Sequence, residues 1–157
     1  MMRLIAPCLA ILIVGACGKA DHPAIERIEM RRSGWVAEDV TISSAGSGTY
    51  HINEPPLAAR SGTFKMTHRQ FLRFLATLEP YRAEAETYSD QSAWRFIRGT
   101  CPSEVPKTTD MGAMYIRWKG PRYDAHFLMD FGCDARRNAA RNTRMHKIFE
   151  QLPLPRP

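Results

Sequence analysis

Residues 114–131 constrain the fold more than any other stretch. Met114, Ile116 and Trp118 alternate with polar neighbours, and Gly120 and Pro121 then turn the backbone. Tyr123, Ala125, Phe127, Met129 and Phe131 resume the alternation. A period of two belongs to a strand buried on one side, so a β-hairpin is predicted here. Its apolar face needs a cover, which two amphipathic stretches can provide. Phe71, Phe74, Leu75 and Leu78 recur at helical spacing. They follow Thr67 and Gln70, spaced as a capping box, with Met66 placed to staple against Phe71. Pro80 is expected to stop this helix. Met145, Ile148, Phe149 and Leu152 form a second stripe, with Asp134 as the expected N-cap and Pro153 as the end.

Other strand signals are weaker. Ile25, Ile28 and Met30 give a weak first strand, and Val40 with Ile42 and Tyr50 with Ile52 alternate with polar neighbours, with a turn expected at residues 44–47. Residues 53–59 carry Pro55 and Pro56 and interrupt the sheet before Phe64 and Met66 resume it. Residues 81–112 hold Trp94, Phe96, Ile97 and Cys101, too much apolar weight for a disordered linker, so an ordered connection is expected. The two helical stripes have nearly the same spacing, and each follows a hairpin. The expected architecture is therefore an α+β fold. In it an antiparallel β-sheet carries two amphipathic helices packed on one face, built as two hairpin-plus-helix units. Phe71, Phe74, Leu75, Leu78, Met114, Ile116, Trp118, Phe127, Met129, Ile148 and Phe149 are expected to share its core.

The N-terminus reads differently. Arg3 precedes an apolar run over residues 4–14, and Val14, Gly15, Ala16 and Cys17 close it. This segment resembles the bacterial lipobox, with Val14 standing where leucine is usual. The resemblance covers residues 1–17. It implies a signal peptide over residues 1–16, cleavage before Cys17 and lipidation of the Cys17 sulfur, with acylation of the new amine. Two or three acyl chains anchor stably where one is marginal. Residues 17–24 then form a short tether, and residues 25–157 a single domain. Gly18 is not the aspartate that commonly retains such proteins at the inner membrane. The expected address is thus the outer membrane, facing the periplasm.

The formal charge is +6, and Arg3 is the one charged residue among the first sixteen, so the remainder carries +5. A moderately basic domain favours an acidic partner or an anionic membrane surface, and an envelope address argues against nucleic acid. Of four cysteines, only Cys101 and Cys133 stay in the domain as thiols. An even, widely spaced pair in an exported chain predicts a structural disulfide.

Three groups of residues could carry function. Arg136, Arg137, Arg141 and Arg144, with Lys147, crowd a helix expected to start near Asp134. Cations are disfavoured at that end, so an anion-binding site is expected there. Asp124, His126 and Asp130 share the polar side of one strand, and with His51 or His68 they could form an acid–base or metal site. The sequence contains no serine nucleophile elbow, helical metal-binding histidine pair or glycine-rich phosphate loop, and no cofactor is implied. Trp35 and Trp94 are candidate stacking residues. The expected function is a small, non-enzymatic binding or interaction module anchored in the envelope, with anionic lipid or an envelope protein as partner. The alternative is a hydrolase-like or metal-dependent enzyme centred on Asp124, His126 and Asp130.

Overall fold

The computed structural model describes residues 24–87 and 101–155. The lipobox, Trp94, Phe96 and Ile97 lie outside the described residues. The strands are β1 (Arg27–Arg32), β2 (Ala37–Ser43), β3 (Ser47–Asn53), β4 (Arg60–Lys65), the two-residue β5 (Glu86–Thr87), β6 (Ala113–Gly120) and β7 (Tyr123–Asp130). The helices are α1 (His68–Glu84) and α2 (Ala139–Phe149). All neighbouring strands are antiparallel, in the order β4-β3-β2-β1-β6-β7-β5. Among the described residues no helix is long and apolar enough to cross a membrane.

This topology corrects the expected α+β fold of two hairpin-plus-helix units. The molecule is dominated by one continuous open sheet, and its two halves are not repeats. A four-stranded meander precedes α1, whereas a two-stranded hairpin precedes α2. The join that fuses them is β1 with β6, where Met30 faces Ile116 and Ile28 faces Trp118. Alternation marks which side of a strand is apolar, but it does not name the strand's partner.

Pleating sends Ile28, Met30, Val40, Ile42, Met114, Ile116, Trp118, Phe127 and Met129 to one side of the sheet, all buried. Phe71, Phe74, Leu78 and Tyr81 of α1 and Met145, Ile148 and Phe149 of α2 join the same core, with Leu75 half-buried at its margin. Helix α1 starts as its sequence dictates: Thr67 accepts from the Gln70 amide, and the Gln70 side chain accepts from the Thr67 amide. It does not stop at Pro80 but continues to Glu84. Proline removes one backbone donor, and packing past that point offsets the loss. Tyr81 is buried against Phe127, ring centroids 5.3 Å apart, and the Arg82 guanidinium lies 5.6 Å from the Tyr123 ring.

Helix α2 starts later than expected, at Ala139. Asp134 has a left-handed φ of 43°, and its amide bonds the Pro106 carbonyl, so it belongs to the preceding turn. Asn138 occupies the cap position but donates its side chain to the Cys133 carbonyl at 2.8 Å. Two further backbone links, from Thr108 to Gly132 and between Lys107 and Cys133, tie the segment before β6 to the loop after β7. Cys101 and Cys133 lie at disulfide distance there, with Cα atoms 5.6 Å apart.

Candidate functional site

The sheet's other side is a polar face with a continuous charge ladder. Glu29 of β1 faces Arg117 of β6, which in turn faces His126 of β7. Arg117 donates twice to Asp124, at 2.8 and 2.6 Å, and reaches Glu29 at 3.5 Å. Glu29 also pairs with Arg27 at 2.7 Å, and Arg31 pairs with Asp39. His126 is 2% exposed, and its register partner on the far side is Glu86 of β5. Its Nε2 lies 3.1 Å from Asp124 Oδ1 and its Nδ1 lies 2.5 Å from the Tyr115 hydroxyl. The carboxylate can only accept, so Nε2 carries the proton and Nδ1 accepts from Tyr115.

Electrostatics follow from that geometry. Hydrogen bonds from Arg117 hold the Asp124 carboxyl below its usual range, against the opposing effect of burial. The same pairing raises Arg117. Burial pushes His126 down to about 4, outweighing the attraction of Asp124. The imidazole is therefore neutral at physiological pH.

Of the expected acid–base group, Asp124 and His126 meet but Asp130 does not join them. Four residues along a strand amount to ~13 Å, and Asp130 Oδ1 accepts from the Gly132 amide at 2.8 Å, closing the turn after β7. His51 lies on β3 beside Ser61, 2.7 Å away, and His68 opens α1. Among the described residues no three His, Cys, Asp or Glu side chains converge as a metal site.

The basic residues occupy the opposite side of the molecule. Arg136 and Arg137 are exposed in the turns before α2 rather than in its first half. Arg141 pairs with Glu84 of α1 and lies 5.5 Å from the Phe127 ring centroid. Arg144 and Lys147 are exposed, and with Arg141 they line a groove of about 530 Å³ against Pro80, Tyr81 and Ile148. Trp35 caps the β1–β2 turn and is 87% exposed, unlike the fully buried Trp118.

The feature that sequence reasoning missed lies on the polar face, where β1 to β4 form a depression of about 670 Å³. Thr41, Thr49 and Thr63 are direct partners across β2, β3 and β4. The alternate positions of these strands are legible in the sequence, but their alignment appears only with the register.

No protein-family model matches the chain, and no curated protein matches it significantly. Among solved structures it is similar to an SsgA-like sporulation-specific cell division protein from Thermobifida fusca YX-ER1. Identity is 12%, coverage is 81% of this chain and 80% of that one, and the TM-score is 0.19. A likeness at that level carries no inference about fold or activity.

Proposed function

We propose that this chain is an envelope lipoprotein, held to its membrane through Cys17, whose domain is a binding module for an anionic surface. The observation that carries this reading is the run of cations leading into and along α2. Arg136, Arg137, Arg144 and Lys147 are all exposed, and among the described residues Arg141 is the one member of the run seen paired with an acid. Near an anionic bilayer each basic residue adds about 1 kcal/mol, so this run is enough to orient a tethered domain. The competing acid–base group is engaged within the sheet, with Asp124 on Arg117 and His126 buried between Asp124 and Tyr115. That arrangement favours binding over catalysis.

Two measurements test the reading. Replacing Cys17 by serine should abolish fatty-acid labelling and block maturation of the precursor; labelling that persists in this variant would remove the anchor. The lipid-free domain should sediment with anionic vesicles and not with neutral ones. Binding should weaken at high salt, as the Debye length falls to about 3 Å at 1 M. Changing Arg136, Arg137 and Arg144 to glutamine should release it. Equal sedimentation with both vesicle types would contradict the basic run as the contact.

A further inference from the structure

We infer that the depression on the polar face of β1 to β4 is a binding site for a phosphorylated polyol. This inference stands apart from the membrane reading, because the site lies on the side of the sheet opposite both helices.

Three observations carry it. The first is chemistry: Thr41, Thr49, Thr63, Ser43 and Ser47 bring hydroxyls to the site, Arg27 and Lys65 bring positive charge, Gly48 and Phe64 complete the lining, and among the described residues no carboxylate lines it. Hydroxyls both donate and accept, which suits a hydroxylated carbon skeleton. Guanidinium and ammonium groups suit phosphate oxygens.

The second is register. Thr41 faces Thr49 and Thr49 faces Thr63, giving a ladder of hydroxyls at a strand spacing of ~4.8 Å. In the adjacent row Lys65 faces Ser47 and Arg27 faces Ser43, so the cations stand at the two ends of a row four strands wide. The Ser43 hydroxyl donates to the Ser47 carbonyl at 3.1 Å, which fixes the middle of that row. Arg27 shares its charge with Glu29, which leaves Lys65, exposed on the edge strand, as the stronger phosphate contact.

The third is size. A volume of about 670 Å³ is that of a small-molecule site rather than a single ion. One phosphate would satisfy a cation and leave the threonine ladder unused, so the ligand carries its phosphate on a larger hydroxylated body. A free sugar phosphate and a phospholipid headgroup share that chemistry. Arg27, Ser43, Ser47 and Lys65 place the site at the end of the sheet where β1 begins.

The test uses the full chain, purified in a neutral detergent. Glycerol 3-phosphate is titrated by calorimetry, and in parallel the chain is mixed with neutral vesicles and with vesicles containing phosphatidylglycerol. Saturable binding of glycerol 3-phosphate is expected, with glycerol alone binding at least tenfold more weakly. Lys65→Gln should weaken binding about tenfold and Thr49→Val several-fold, each with an unchanged thermal midpoint. Arg144→Gln should leave this binding untouched while reducing vesicle sedimentation, which separates the two sites. Glycerol phosphate competing with phosphatidylglycerol vesicles for the Lys65-dependent contact would identify a headgroup as the source. Binding without competition would identify a free ligand. Absence of saturable binding, or binding indifferent to both Lys65→Gln and Thr49→Val, would overturn the inference.

Discussion

The Tyr115 hydroxyl donates to Nδ1 of His126 across the β6–β7 hairpin, and this bond fixes which imidazole nitrogen keeps its proton. The other nitrogen faces Asp124, itself held by Arg117. A neutral, buried histidine of this kind couples folding to pH.

Burial holds His126 at about 4 against an ordinary 6.5, and it lowers His146 in the same direction. As the pH falls, the unfolded chain takes up these protons before the folded one does. The associated stability is therefore complete above about pH 6.5 and declines from there toward pH 4. Urea midpoints measured across that window should fall with pH, and His126→Gln should flatten part of the slope. A variant retaining the full slope would transfer the effect to His146 and the carboxylates.

Phe74 is 1% exposed and lies where α1 meets the sheet. Its replacement by alanine removes buried surface and leaves a cavity, at an expected cost of roughly 3–5 kcal/mol. Leu75 is only half-buried, so Leu75→Ala should cost clearly less. Equilibrium urea denaturation of both variants measures the difference.

Thr67 begins α1 with a reciprocal pair of hydrogen bonds to Gln70. Thr67→Ala should cost about 1 kcal/mol. Thr67→Ser should recover most of it, since serine keeps the accepting oxygen. The same denaturation assay reads both, and equal losses would show that the methyl group matters rather than the cap.

The Cys101–Cys133 pair closes a loop with a sequence separation of 32. In the chain-entropy model such a link contributes roughly 3–4 kcal/mol. Peptide mapping without reductant should recover the joined pair, and the double serine variant should unfold at correspondingly lower denaturant. A free-thiol count of two in the folded, oxidised domain would contradict the link.

What could be read from the sequence depended on the range of the interaction. The Thr67 cap and the Met114–Phe131 alternation involve neighbours in the chain, so their chemistry is visible locally. The pairing of Ile28 with Trp118 spans most of the chain, and no periodicity encodes it. Pro80 does not end α1, because Tyr81, packed on a distant strand, outweighs a local helix breaker. Helix α2 starts five residues after Asp134, because the Asp134 amide donates to the Pro106 carbonyl and so belongs to the preceding turn. The polar-face depression was invisible for a related reason: its residues are ordinary serines and threonines until register sets them side by side.

An open sheet leaves two borders where backbone groups can accept a foreign strand. Among the described residues, one of them carries the short β5, Glu86–Thr87, against β7. The other is β4, where Arg60 and Lys65 bracket the strand and Gly62 lies beneath the Tyr50 ring. A second copy pairing with β4 would have to bring its own Arg60 and Lys65 alongside these cations, of which Arg60 is paired with Glu54 at 3.0 Å and Lys65 is exposed. Like charge thus guards the β4 border against self-assembly, and a neutralising change at Lys65 would alter solubility as well as binding.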